Sequence, residues 1–326
     1  MSYDNQKNSF VETPLDTLAQ LSPEHQDTLT KRAKSKFLSN SFVLKLVDVP
    51  NSKLTKSYWN TYHCSREIKQ DGQKITAKYC NHRWCLVCNR IRTAKLINGY
   101  YKPLQELKDK QFVTLTIKSM NGDSLHDAIC LMNEKFRVIC KRLHKQEKKV
   151  TGIRKIEVTH NPIKGFHPHY HCIIEGEEVA NLLVENWLKE FPEPLTKRKA
   201  QDIKKADENS VLELFKYFTK LLPSKSKKSK KLQPISATAL DTIFTAMEGK
   251  RVFQPIGVKK EVSEEIDNLE SKIYEELESD FATWTFHAQE KQGKKVATWI
   301  NHSNGKHLVD CEIEKKAQEL ANKIVV

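Results

Sequence analysis

Three histidines alternate in the segment His167-Pro168-His169-Tyr170-His171. On a strand, side chains two apart share a face, so His169 and His171 point together while Tyr170 and Cys172 point the other way. Two imidazoles one strand step apart can chelate a single divalent ion and leave positions for a carboxylate, water and substrate oxygens. The carboxylate is expected from Glu157, in the alternating stretch IRKIEVTHN at 153–161, which a PIKG turn joins to the histidines. A single histidine would favour an ordinary core or polar-face role. Three at period two, beside a strand carrying Glu157, favour a metal site.

A second constellation lies in ENSVLELFKYFTKLL at 208–222. Helical spacing puts Glu213, Tyr217 and Lys220 on one face, since residues three and four apart are neighbours. A tyrosine phenol can attack a phosphodiester and form a covalent phosphotyrosine. A metal ion that polarises the phosphate lowers the barrier, and Lys220 can stabilise the phenolate or the phosphate. Glu213 can orient a water for a second, hydrolytic cleavage. Without the histidines the plainer reading, an amphipathic helix with a half-buried tyrosine, would stand.

Cys80, Cys85 and Cys88 lie in YCNHRWCLVCNRIR with the spacing C-x4-C-x2-C, and Cys64 precedes them. Such clustering in a reducing compartment points to a structural zinc site more than to buried free thiols. The fourth ligand can be Cys64, His63 or His82; Cys64 is preferred because four thiolates suit zinc. A closed four-ligand site leaves no position for catalysis. Cys130, Cys140, Cys172 and Cys311 are isolated and read as core residues.

These groups need a scaffold. FVTLTI at 112–117 reads as a strand. Apolar Leu125, Ile129, Met132, Phe136, Ile139 and Leu143 mark a helix over 124–147. The hairpin 153–161 and 166–174 follows, then helices over 177–190 and 207–222. The order β-α-β-β-α-α predicts an α+β domain with an antiparallel sheet covered by helices. A short helix is expected from Ser22-Pro23-Glu24 within a mostly disordered tail, 1–35. Residues 36–235 form the main domain, with the zinc-binding segment at 60–95. A C-terminal extension, 236–326, carries a strand-like piece at 251–258 and an apolar helical face within 261–280 for partner or oligomer contacts.

The chain has 326 residues and a net charge of +14, a balance that favours a polyanionic partner through counterion release. Residues 216–231 hold seven lysines and no acid. Lys216, Lys225, Lys227, Lys228, Lys230 and Lys231 are candidate phosphate contacts; the alternative is a solvated linker. No apolar run reaches the roughly 20 residues of a membrane span, and no secretory signal opens the chain. A cytoplasmic protein with reduced cysteines is expected.

Taken together, these segments resemble the plasmid rolling-circle replication initiators of the Rep_1 family, within the HUH endonuclease superfamily. FVTLTI resembles the first motif of that family, HPHYHCII the second, with His169-Tyr170-His171 as the HUH element, and ELFKYFTK the third. The cysteine segment is similar as well, and the resemblance covers residues 60–225. It implies a five-stranded antiparallel sheet of ferredoxin- or RRM-like type and a catalytic Mg2+ or Mn2+ ion. It further implies Tyr217 as the nucleophile toward single-stranded origin DNA, Lys220 as the Y-x-x-K lysine and Glu213 as the residue that activates water to end replication. The chain has no P-loop motif, so unwinding falls to a host helicase and other host replication proteins. The competing readings are a zinc-containing DNA-binding regulator without nuclease activity, and an HUH transposase or mobilisation relaxase.

Overall fold

In the computed structural model, the described residues are 21–71, 74–215, 235–261 and 282–325. Contacts divide the chain into two compact units: 1–37, 64–79 and 265–314 in the first, and 38–63, 80–264 and 315–326 in the second. Among the described residues, no helix is long and apolar enough to cross a membrane.

Helix α1 spans Pro23–Val47, and the Ser22 hydroxyl accepts from the His25 N–H at 3.4 Å. The helix therefore starts where serine and proline predict. It runs 25 residues, so 23–35 is helical and not part of a disordered tail. Its buried stripe, Leu29, Ala33 and Phe37, has an alanine at its centre and lysines around it, too little contrast to mark a long helix in the sequence.

The first unit carries a five-stranded sheet in the order β11-β10-β9-β1-β2. Its strands are β1 (Glu67–Asp71), β2 (Lys74–Ala77), β9 (Ala282–Lys291), β10 (Lys294–Asn301) and β11 (Cys311–Glu312). Trp284, Phe286 and Trp299 supply its buried surface, and the Trp299 indole donates to the Ser65 carbonyl at 3.2 Å.

The second unit holds the segments expected to do chemistry. Strand β3 (Lys110–Thr116) leads to helix α4 (Leu125–Lys145), the hairpin β4 (Gly152–Asn161) and β5 (Gly165–Glu175), helix α5 (Glu177–Glu190) and strand β6 (Asp202–Lys205). This is a β-α-β-β-α-β series, and the sheet order β6-β3-β5-β4 is that of a ferredoxin-like fold. A fifth strand, β8 (Phe253–Ile256), pairs with β4 and completes the antiparallel sheet. The α+β class and the five-stranded sheet agree with the sequence reading. Strand β6 was not expected, because DIKK at an edge has one apolar residue and no alternation to reveal it. The strand-like piece at 251–258 belongs to this sheet, although the sequence assigned it to the C-terminal extension. That extension also supplies α7 (Ala237–Ala246), α8 (Lys315–Asn322) and strands β9 to β11.

One sheet face is covered by α4, α5 and α7. The expected helical stripe Leu125, Ile129, Met132, Phe136, Ile139 and Leu143 is buried there against Val113, Leu115, Ile156, Tyr170, Cys172 and Ile174. Burying such side chains contributes about 1.5–3 kcal/mol each. At one end of the opposite face, Phe112, Ile153 and Ile173 cluster with Leu104 of α3 (Leu86–Gln105) and with Val211, Leu214 and Phe215 of α6 (Glu208–Phe215). Beyond that cluster the same face turns polar.

Candidate metal centre

Register fixes what occupies the polar face. Thr114, His171 and Lys155 stand side by side on β3, β5 and β4, and Thr116, His169 and Glu157 form the next row. Because each strand alternates, Tyr170 and Cys172 face the core instead. Tyr170 donates its hydroxyl to Asn133 at 2.9 Å.

Glu157, His169 and His171 offer ligand atoms that all lie within 4.8 Å of one another. One carboxylate oxygen, Oε2, is 3.5 Å from His169 Nε2 and 3.6 Å from His171 Nε2. The far ring nitrogens have other partners. His169 Nδ1 donates to the His167 carbonyl at 3.1 Å, and His171 Nδ1 lies 3.3 Å from the Thr114 hydroxyl. Such contacts fix the orientation of both rings, so that each presents Nε2 to the Glu157 carboxylate. Two imidazole nitrogens and one carboxylate oxygen, converging from two adjacent strands, fit a divalent ion with positions open to water or substrate.

The sequence reading missed Lys155. It is fully buried, and its Nζ lies 2.5 Å from Glu157 Oε1 and 5.6 Å from the centre of the Phe253 ring. A signal existed, since a residue two before Glu157 must share its face. Burial alone would raise the Glu157 carboxyl; bonds from the two histidines and the Lys155 ammonium outweigh it and hold the group well below the usual carboxylate range. Lys155 and the histidines thus approach different oxygens of one ionised carboxylate.

Helix α6 reaches the same face. Asp207 caps its start, accepting from the Ser210 N–H at 2.7 Å and the Ser210 hydroxyl at 2.6 Å. Phe215 is buried beside Ile173, two residues along β5 from His171, and stacks on Phe253 with ring centres 6.0 Å apart. Glu213 lies in α6. Tyr217 and Lys220 lie outside the described residues, as do Lys216, Lys225, Lys227, Lys228, Lys230, Lys231 and the acidic segment 262–280.

The cysteines form a second group. Cys80, Cys85 and Cys88 lie in the second unit and Cys64 in the first; the sulfurs of Cys80 and Cys88 are 3.7 Å apart. A tetrahedron of zinc–thiolate bonds near 2.3 Å has edges of about 3.8 Å, so the spacing fits a metal ion. The segment is anchored locally. The Trp84 indole donates to the Thr61 hydroxyl at 3.0 Å, and Cys85 is the N-cap of α3. The two imidazoles considered as alternative ligands pack on aromatic rings: His82 stacks on Trp84 at 5.0 Å, and His63 lies against Tyr62 at 5.3 Å. Of the isolated cysteines, Cys172 and Cys311 are buried, and Cys130 and Cys140 are half-buried.

Residues 72–178 match the family Rep_1, described as replication protein. The matched span takes in Cys80, Cys85, Cys88, Glu157, His169 and His171, and it ends before α6. A protein named Protein rep from Streptococcus pneumoniae serotype 2 (strain D39 / NCTC 7466) is 22% identical over 229 residues, covering 62% of this chain and 69% of that protein. Protein rep of Staphylococcus aureus is 34% identical over 113 residues, covering 32% of this chain and 48% of its own. Protein rep of a Bacillus species is 30% identical over 122 residues, covering 35% and 38%. This chain thus spans less than half the length of the last two. No solved structure matches it significantly.

Proposed function

From the membership of residues 72–178 in the replication-protein family Rep_1, we propose that this chain initiates plasmid replication by nicking one DNA strand at the origin and holding the cut end covalently. The observation that carries the proposal is the convergence of Glu157 Oε2 with the Nε2 atoms of His169 and His171 on one strand pair, on the face against which α6 packs.

In this reading Glu157, His169 and His171 hold Mg2+ or Mn2+, which supplies Lewis-acid polarisation of the scissile phosphate when bound. Lys155 restrains Glu157 from the opposite oxygen, so the ligand set is oriented before DNA arrives. Tyr217 follows Phe215, the last residue of α6, by two positions in the chain, and it is the nucleophile in this reading. Its phenolic oxygen attacks phosphorus, the bond to the 3′-oxygen breaks, and the phenolic proton ends on the released 3′-hydroxyl. The product is a 5′-phosphotyrosine. Lys220 offsets charge on the phenolate or the phosphate. Glu213 orients the water that ends the reaction. The lysines at 216 and 225–231 contact the phosphate backbone, which positions the strand without reading bases. Cys64, Cys80, Cys85 and Cys88 hold a structural zinc ion that orders the chain around α3.

The test is incubation with single-stranded origin DNA and Mn2+, followed by denaturation and mass spectrometry. A denaturation-resistant adduct on the peptide containing Tyr217 is expected, and Tyr217→Phe should form none while still binding DNA. Binding without any adduct would leave a zinc-containing DNA-binding regulator as the function. An adduct on another tyrosine would move the nucleophile.

A further inference from the structure

A cavity of about 420 Å³ opens between the first half of α3 and the turn that joins α7 to β8. Four cations line it, Arg83, Arg92, Lys250 and Arg251, and none of its lining residues is acidic. Its apolar wall includes Leu96 and Phe253. Cations beside an apolar and aromatic wall match the two halves of a nucleotide, an anionic phosphate and a flat base.

The cations are held in place. Arg83 donates to the carbonyls of Met247 at 2.8 Å and Lys250 at 2.6 Å, which ties the turn to the segment before α3. Arg92 donates to Asn89 Oδ1 at 3.1 Å and to the Asn81 carbonyl at 2.8 Å. A guanidinium has five N–H donors, so both retain capacity for a phosphate. Lys250 directs one donor at the Cys130 sulfur, 3.0 Å away. Gly249 takes a left-handed φ of 67°, the conformation that lets the chain leave α7 and present Lys250 and Arg251 in succession. Arg251 is exposed.

The cavity adjoins the histidine face through one residue. Phe253 lines it and is paired with Lys155 across β8 and β4, and Lys155 contacts Glu157.

We propose that this cavity is a subsite for one nucleotide of single-stranded DNA near the scissile phosphate, with the phosphate on Arg92 and Arg251 and the base against Phe253 and Leu96. The inference rests on the proposed nicking function for its substrate, but its test needs no cleavage. Binding of a fluorescent ten-residue oligothymidylate to the full chain, without divalent ions, is followed by anisotropy across a salt series.

Arg251→Gln should weaken binding about five-fold and make the slope of log affinity against log salt shallower by about 0.7, the loss of one phosphate contact on a single strand. Thr93→Trp, which fills the cavity from α3, should weaken binding without that change in slope. Unchanged affinity in both variants, with circular dichroism like that of the parent, would overturn the subsite. So would a parent affinity that millimolar ATP abolishes while a hundredfold excess of unlabelled oligothymidylate does not, which would make the cavity a free-nucleotide site. Loss of nicking with these binding effects intact would instead count against the nicking reading alone.

Discussion

Glu157 and His169 are direct partners across the β4–β5 ladder, and their side chains meet on one face with Oε2 and Nε2 3.5 Å apart. His171, one step along the same strand, reaches the same oxygen at 3.6 Å. Replacing any one of these ligands should therefore cost metal affinity more than fold. Glu157→Ala, His169→Ala and His171→Ala are each expected to lower Mn2+ affinity about tenfold or more in calorimetric titration. An unchanged affinity in one variant would remove that residue from the ligand set.

Lys155 makes a different prediction. It and Glu157 are a buried ion pair, 2.5 Å apart. Lys155→Met leaves the Glu157 carboxylate buried without its ammonium partner, which typically destabilises by about 3–5 kcal/mol. A divalent ion restores positive charge beside the carboxylate. Mn2+ should then raise the melting temperature of Lys155→Met more than that of the parent protein. Equal shifts in differential scanning fluorimetry would make Lys155 a packing residue with no link to the metal centre.

The cysteine group should report itself by stoichiometry. Freshly purified, reduced protein is expected to hold about one zinc ion per chain, retained under mild chelation that strips the ion held by Glu157, His169 and His171. Cys85→Ser with Cys88→Ser should abolish it and expose the segment around residues 80–95 to limited proteolysis. Elemental analysis without zinc in the parent protein would refute the assignment.

The hairpin that carries the histidines has a steric requirement at its turn. Gly165 adopts φ of 82°, and a Cβ there would sit 2.2 Å from the Met120 carbonyl oxygen. That carbonyl also accepts the Phe166 N–H at 2.8 Å, so the backbone cannot simply withdraw. Gly165→Ala should destabilise the protein by about 2 kcal/mol or more, measured by urea denaturation. A smaller loss would mean that the turn relaxes without disturbing β5.

What was legible in the sequence were the faces. Period two in HPHYH separates His169 and His171 from Tyr170, and the spacing of Leu125 through Leu143 marks the buried side of α4, because both patterns are set by neighbours along the chain. The closeness of Cys80, Cys85 and Cys88 in the chain likewise makes them candidate metal ligands from spacing alone. Pairing is not a local property. That β8 completes the sheet, about 100 residues after β4, follows from the register of Phe253 with Lys155, and no periodicity in either strand encodes it. Lys155 shares the buried face of Glu157, one row along the sheet, and its burial depends on what packs over that face. The cationic cavity joins Arg92 to Arg251, which are 159 positions apart in the chain. Faces follow from backbone geometry repeated every few residues, whereas the partner each face meets depends on which distant segments the burial of the whole core brings together.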